Sequence, residues 1–283
     1  RQMCIRDRHN LVDHVIFSPR ANIRFNPSEA VNLRVSYAGG YRAPQAFDED
    51  MHIAVVGGKR VRIRLADDLK EERSHSVSLS ADLYHNFGRV QTNLLVEGFY
   101  TILDDVFALR DLEDTDDGGK IKERYNGSGA AVRGFNVEGR AIFTRWFELQ
   151  AGVTLQQSRY KEPEQWSEDA DVPPVRRMFR TPDAYGYFTA SFKPVRNFTA
   201  DLTGTCTGSM LVQHMAGSGV AQDAAVSTPS FFDMNVRLSY DLRIYKEITL
   251  QLYGGVQNLF NAYQKDFDKG ADRDSGYIYG CLL

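Results

Sequence analysis

Apolar and polar residues alternate one by one through much of this chain. Val31, Leu33, Val35 and Tyr37 are apolar, and Asn32, Arg34 and Ser36 between them are polar. Further on, Val77, Leu79, Ala81 and Leu83 form one face of a segment whose other face carries Ser76, Ser78, Ser80 and Asp82. Phe147, Leu149, Ala151, Val153 and Leu155 alternate with Glu148, Gln150, Gly152, Thr154 and Gln156. Phe232, Met234, Val236, Leu238 and Tyr240 alternate with Asp233, Asn235, Arg237, Ser239 and Asp241, and Ile248, Leu250 and Leu252 with Thr249, Gln251 and Tyr253. A period of two belongs to strands whose faces meet different surroundings.

The connections between these segments alternate in length. Short turns are expected near residues 18–22, 86–89, 145–146, 193–197 and 243–246, and long polar stretches at 42–72, 104–128, 159–180, 208–229 and 261–280. Several runs approach the roughly 9–11 residues with which a tilted strand crosses a bilayer, against about 5–6 in soluble proteins. Short turns on one side and long loops on the other are the habit of outer-membrane barrels. The expected fold is therefore all-β: an antiparallel transmembrane β-barrel fragment of about ten strands in five hairpins, with a little extra strand inside the longer loops. Lipid offers no hydrogen bonds to a bare strand edge, so such strands must belong to a closed ring larger than this piece.

Composition narrows the picture without deciding it. The 283 residues hold 42% hydrophobic residues, with a net charge of -3 and a mean hydropathy of -0.40. No run of about 18 apolar residues exists, which excludes a helical membrane span. The negative mean hydropathy is compatible with a barrel, whose alternate residues face water. Near-neutral charge gives no clustered basic face for nucleic acid. The 14 Tyr and 17 Phe recur near the ends of the extended segments, as aromatic belts at a membrane boundary do. A soluble sandwich or propeller would also be rich in these residues.

The two ends are set apart from the fold. Arg1, Gln2, Met3, Cys4, Ile5, Arg6, Asp7 and Arg8 resemble translated sequencing adapter, and Cys281, Leu282 and Leu283 resemble the same adapter read from its other strand. Residues 1–8 and 281–283 are therefore expected to be non-native, and 9–280 a partial barrel. Cys206 is then the one remaining cysteine, which leaves no disulfide or cysteine zinc site to build. In its alternating segment it is expected to be a small buried or lumen-facing thiol.

Two segments carry a family likeness. Gly40, Tyr41, Arg42, Ala43 and Pro44 resemble the Gly-Phe/Tyr-Arg-Ala-Pro strand-to-loop segment of TonB-dependent outer-membrane receptors. Leu69, Lys70, Glu71, Glu72, Arg73 and Ser74 follow, similar to the family's Leu-Lys-Pro-Glu-x-Ser, with Glu71 in place of proline. Asn258, Leu259, Phe260, Asn261 and Tyr263 resemble the Asn-Leu-Phe-Asn/Asp-x-x-Tyr signature of the penultimate barrel strand. With the alternation, the likeness covers nearly all of residues 9–280 and is most like receptors of the Bacteroidetes type. It implies a 22-stranded barrel in the outer membrane, plugged by an N-terminal domain. Such a receptor imports a scarce nutrient, a siderophore or other metal chelate, cobalamin or glycan, energised by the TonB–ExbB–ExbD complex. The plug, the TonB box, the early strands and the last strand lie outside this chain. Implied partners are outer-membrane lipid, the plug, the TonB complex and an unidentified nutrient; neither a cofactor nor a nucleic acid is implied. A passive porin or barrel enzyme, and a soluble β-rich adhesion module, stay open as alternatives.

Chemistry-bearing clusters are sparse. Asp266, Asp268, Asp272 and Asp274 space carboxylates around Gly270 as some calcium loops do, but the later bidentate Glu is missing. The preferred reading is a solvated loop cross-linked by its own Asp–Arg pairs with Lys269 and Arg273. The acidic runs Glu113, Asp114, Asp116, Asp117 and Glu168, Asp169, Asp171 read as solvated loops. None of the six His shows metal-site spacing. His52 with Met51, and His214 with Met210 and Met215, could contact haem or copper, though ordinary loop roles are preferred. No nucleophile elbow or phosphate loop occurs, and no enzymatic activity is expected. Arg34, Ser36, Asp82, Tyr84, Glu148, Gln150, Asn235 and Arg237 are expected on the wet face, Leu79 and Val236 on the lipid face.

Overall fold

The structure is a computed structural model that describes residues 15–44, 61–114, 120–167, 169–217, 219–270, 273–274 and 276–280. The adapter-like ends, Met51, His52, Glu168 and Asp272 lie outside these residues. Among the described residues there are sixteen strands and no helix.

Ten long strands form one antiparallel meander: β1 (Arg20–Ser28), β2 (Val31–Arg42), β4 (Glu72–Phe87), β5 (Val90–Asp104), β8 (Ala130–Thr144), β9 (Phe147–Glu164), β11 (Ala184–Val195), β12 (Phe198–Thr207), β15 (Phe231–Tyr245) and β16 (Ile248–Val256). The sheet is open, with β1 and β16 at its edges. These strands make five hairpins, the expected number. Six short strands lie in the long connections: β3 (Val61–Leu65), β6 (Phe107–Asp114), β7 (Lys120–Asn126), β10 (Val175–Arg177), β13 (Leu211–His214) and β14 (Ala224–Ser227). β3 pairs parallel to β7 and β6 antiparallel to it, β13 pairs with β14, and β10 extends the meander beside β9.

Register carries the alternation across the whole sheet. The polar row Arg34–Ser80–Glu97–Asn136–Thr154 runs through five strands, and the apolar row Leu33–Ala81–Val96–Val137–Val153 runs beside it on the other face. All eight residues expected on the polar face lie there. That face is knitted across strands by side-chain hydrogen bonds: Ser76 with Thr101 (2.9 Å), Thr154 to Asn136 (2.7 Å), Arg140 to Glu148 (2.6 Å) and Ser191 to Asp201 (2.6 Å). The apolar face is bare. Leu79, Phe135 and Ile248 are at least 60% exposed. Among the described residues the buried apolar set is Ala66, Ala130, Val172, Ala190, Val212 and Tyr277. Rings gather at both ends of this face. Phe147 stacks with Phe143 and Phe192 near the short turns, and Phe188 with Phe232 near the loops.

Three expectations are corrected. Residues 18–22 are not a turn: Pro19 precedes β1, Arg20 opens it, and Asn22 donates to Ser36 on the polar face. Polar residues on a wet strand face imitate the composition of a turn. The actual turn is Glu29–Ala30, beyond Asn26 and Pro27, which edge strand β1 tolerates beside a register shift. Cys206 is neither buried nor on the polar face: it is exposed, opposite Phe232 and Gly186 on the apolar side. The last short turn falls at Lys246–Glu247, because β15 runs through Arg243 to Tyr245.

Gly88 opens the two-residue β4–β5 turn with φ +63°, where a left-handed residue suits the twist of a hairpin. Gly129 has φ +86°, and a β-carbon there would lie 2.4 Å from the Leu103 carbonyl oxygen. Gly88→Ala, with open space around it, is expected to destabilise by about 1 kcal/mol from backbone strain alone. Gly129→Ala adds a backbone collision and is expected to exceed about 2 kcal/mol. Urea unfolding of the folded protein measures both; equal effects would contradict this geometry.

Candidate functional site

The site is the loop end of the sheet, opposite the five short turns, where both family-like segments sit. Arg42 closes β2 opposite Glu72 in the register, and its Nε lies 2.7 Å from the Glu72 carboxylate. The arginine of one segment therefore holds the glutamate of the next. Glu72 also accepts the Phe107 N–H, and the Arg42 guanidinium lies 4.9 Å from the Phe107 ring. Tyr41 lies opposite Arg73. Ala43 follows, and buried Pro44, which has no N–H to donate, ends the ladder there. Gly40 approaches Ser74 so closely that a β-carbon would lie 2.6 Å from its hydroxyl. Glu71, in place of the family's proline, is buried and accepts from Arg73 at 2.6 and 3.0 Å.

The small sheet β3–β7–β6 is tied to the barrel strands by Asn126. Its amide donates to the Lys70 and Asp105 carbonyls (3.0 and 2.7 Å) and accepts the Lys70 N–H (2.7 Å). Arg110 donates to the nearly buried Glu123 across β6 and β7.

The second family-like segment is a turn after β16. Asn258 (φ +50°) and Asn261 (φ +51°) occupy the left-handed region, which asparagine tolerates better than most residues. The Asn258 side chain accepts the Ala262 N–H (2.7 Å) and donates to the Ala262 carbonyl (3.0 Å). Its backbone N–H donates to Asn235 Oδ1 and that of Leu259 to the Met234 carbonyl, both at 2.8 Å. Asn235 on the polar face thus anchors the turn. Phe260 lies on the surface with its ring 5.8 Å from Phe232, and Tyr263 is half-buried, next to Gln264.

Beyond this turn the chain folds back on the β13–β14 hairpin. Buried Gln264 donates to the Tyr277 carbonyl and accepts the Tyr279 N–H. His214, at the end of β13, lies flat on Tyr277 (3.7 Å between centroids, 7° between planes), and its Nε2 is 2.8 Å from Asp268 Oδ1. Both side chains are under a tenth exposed. Gly219 packs against the pair so tightly that a β-carbon would overlap the Asp268 oxygen. Arg180, itself left-handed (φ +56°), donates to the Ile278 and Gly276 carbonyls. Ser167 donates to Asp223, which joins the 165–183 loop to the same assembly.

The structure does not bring the expected carboxylates together around one point. Asp266 accepts from the Tyr277 and Tyr279 hydroxyls, Asp268 from the Asp274 N–H as well as pairing with His214, and Asp274 from the Met215 and Gly276 N–H groups. Asp272 lies outside the described residues. Among the described residues no group of three His, Cys, Asp or Glu could hold a metal ion. The partners of these carboxylates are tyrosines, a histidine and backbone, whereas Arg273 donates to the Gly270 carbonyl. Tyr277, Tyr279, Gln264, Arg180 and Gly219 carried no signal in the sequence, since none belongs to a recognisable motif.

Burial raises the Tyr277 hydroxyl to about 12, with the bonded Asp266 carboxylate adding to the effect, and Tyr279 is raised for the same reasons. Burial pushes Asp266 upward too, but hydrogen bonds from Tyr279 and Tyr277 outweigh it and hold its carboxyl below the usual value. A raised tyrosine contributes stability that is complete below its unfolded pKa of about 10 and is lost as pH rises toward 12. The lowered Asp266 contributes above the ordinary carboxylate range and loses its share only as pH falls through the depressed value. Spectrophotometric titration of tyrosinate is expected to show a late component near pH 12 that Tyr277→Phe removes and Asp266→Asn moves toward 10. A titration unchanged by both substitutions would break the assignment.

The sequence matches the family model described as TonB dependent receptor-like, beta-barrel, over residues 6–259. Among solved structures, a mutant of the ferric enterobactin receptor PfeA from Pseudomonas aeruginosa is 20% identical, with a TM-score of 0.61 over 93% of this chain and 37% of its own. The ferric-catecholate import receptor Fiu from K12 E. coli is 17% identical, with a TM-score of 0.57 over 92% of this chain and 32% of its own. The copper transporter OprC is 12% identical, with a TM-score of 0.60 over 93% of this chain and 37% of its own. The chain spans about a third of the length of these structures. A comparison with curated proteins found no match. The family is one of outer-membrane transport receptors and not of enzymes. An open two-faced meander, five short turns, a welded loop end and a match across most of its length have one account: the chain belongs to the TonB-dependent receptor β-barrel family.

Proposed function

We propose that this chain is about ten strands of the wall of a 22-stranded barrel in the outer membrane, part of an active transporter for a scarce nutrient. An N-terminal plug fills the lumen, and the TonB–ExbB–ExbD complex supplies the energy. The observation that carries the reading is the meander with one bare apolar face and one hydrogen-bonded polar face. On β4 the row from Val77 to Phe87, apolar except for His85 beside the short turn, extends about 33 Å along the strand, or about 25 Å at a tilt near 40°, which is close to the hydrocarbon band of such barrels. Acyl chains then solvate the apolar face, and the lumen, with the plug, meets the polar one. The structures of similar fold include receptors for ferric catecholates and ferric enterobactin and a copper transporter, which supports a metal chelate over cobalamin or a glycan as cargo. A passive porin or a barrel enzyme is not favoured, because the family match is to receptor barrels.

In a strain deleted for the gene, the full-length gene product is expected to restore accumulation of labelled ferric chelate, and only while TonB is present. Uptake that survives loss of TonB would refute active transport. In the folded protein in bilayers, Leu79→Lys is expected to destabilise by about 2–4 kcal/mol near the midplane, while Ser78→Lys stays close to neutral. Asn235 is unsuitable as the polar-face control, since it accepts the Asn258 N–H. Equal losses at Leu79 and Ser78 in urea unfolding would invert the proposed orientation.

A further inference from the structure

On the apolar face of β4, β5, β8 and β9, a groove of about 700 Å³ runs between Val77, Leu79, Tyr100, Phe135 and Leu155. Gly98 opens it. A β-carbon added there would touch the Phe135 ring at an ordinary 3.6 Å, so the space is empty rather than filled by tight packing. Toward the short turns the same face of β8 continues in the smaller Val137, Gly139 and Ala141, and a β-carbon on Gly139 would meet nothing within 4 Å.

At its loop end the groove reaches Arg133. This guanidinium donates to Gln157 Oε1 at 2.7 and 3.2 Å, a neutral acceptor that leaves the positive charge uncompensated. Arg159 lies two residues beyond Gln157 on the same face, opposite Ala131, and is exposed. The two arginines are therefore diagonal neighbours, with side-chain origins about 7–8 Å apart. Among the described residues no carboxylate pairs with either. Of the other cations nearby, Arg73 is matched with Glu71, Lys161 with Asp104 and Arg177 with the Asp183 that lines the groove, while Arg176 donates to the Lys161 carbonyl.

Two arginines with donors to spare suit a phosphate, which guanidinium forks bind in parallel pairs of hydrogen bonds. An open apolar trough suits an acyl chain. Here the two sit in line along one strand, at the end that bears the long loops and so faces the cell exterior. We infer that this face holds a phosphate-bearing acyl lipid of the outer leaflet. Its phosphate lies between Arg133 and Arg159, and one chain lies over Gly98 and the small residues of β8. The inference rests on the membrane orientation proposed above.

The test uses the full-length protein purified in detergent and titrated with diphosphorylated lipid A, with binding read by native mass spectrometry. Lipid A stripped of its phosphates serves as the other arm. Arg133→Glu combined with Arg159→Glu is expected to weaken lipid A binding about tenfold or more, about 1.4 kcal/mol. Gly98→Leu, which fills the trough on an open face, is expected to weaken it while leaving the arginines intact. Equal lipid A binding by wild type and both variants, or phosphate-free lipid A binding as well as the intact lipid, would overturn the site. Loss with the arginine pair but not with Gly98→Leu would also overturn it, leaving only cations that reach for any anionic surface. Heat-modifiable migration on gels reports folding and insertion separately. A wild-type protein that does not insert at all would instead sink the membrane reading.

Discussion

Every backbone N–H and C=O of a strand needs a partner, and in this molecule almost all of that demand is met sideways, by the next strand in the meander. The rest of the structure follows from keeping that ladder unbroken over ten strands. Pairing β4 with β5 across fifteen consecutive positions, from Arg73 to Phe87, leaves no freedom to slip. A shift of one residue would exchange the faces and set Asp82 or Ser80, depending on its direction, opposite Val96. The alternation is thus more than decoration on a sheet. It is the reason that only one register lets all ten strands pair at once.

The same constraint explains why chemistry concentrates where the ladder ends. Inside the sheet, side chains on the polar face bond across to their immediate neighbours, as Thr154 does to Asn136 and Ser191 to Asp201. Past the strand ends, backbone groups lose their ladder partners and must find others. The loops solve this in two ways: they build short strands of their own, β3, β6, β7, β13 and β14, and they recruit side chains as caps. Asn126 serves Lys70 and Asp105, Asn258 serves Ala262, Gln264 serves Tyr277 and Tyr279, and Arg180 serves Gly276 and Ile278. The family-like segments are sites of this kind. Arg42 and Asn258 sit where a strand must stop and the chain must be held, which gives a physical reason for arginine at one and asparagine at the other.

The bare apolar face and the welded loop end also divide the energetics. The face contributes through contact with its surroundings, since few apolar side chains are buried within the chain. The loop end depends on polar pairs, chiefly His214 with Asp268, shielded from water, and Asp266 with two tyrosines nearer the surface. Changes of solvent act on the first and changes of pH on the Asp266–tyrosine cluster of the second, so the two respond to different conditions.

The sequence by itself determined the strands, their faces and the rhythm of short and long connections, because a period of two is a local property that any window of six residues displays. It also determined the family, through Tyr41–Pro44 and Asn258–Tyr263. It misplaced the first turn, since Asn22 on a wet strand face has the composition of a turn while Glu29 and Ala30 do not. It put Cys206 on the wrong face, because the glycines and threonines around it blur the alternation. It could not show that Asp268 meets His214, 54 positions away, nor that the aspartates answer tyrosine hydroxyls and backbone N–H groups. Those partners are chosen by which loops the meander brings side by side. Local patterning fixes where the chain is extended, but only the pairing of ten strands in one register decides which ends become neighbours.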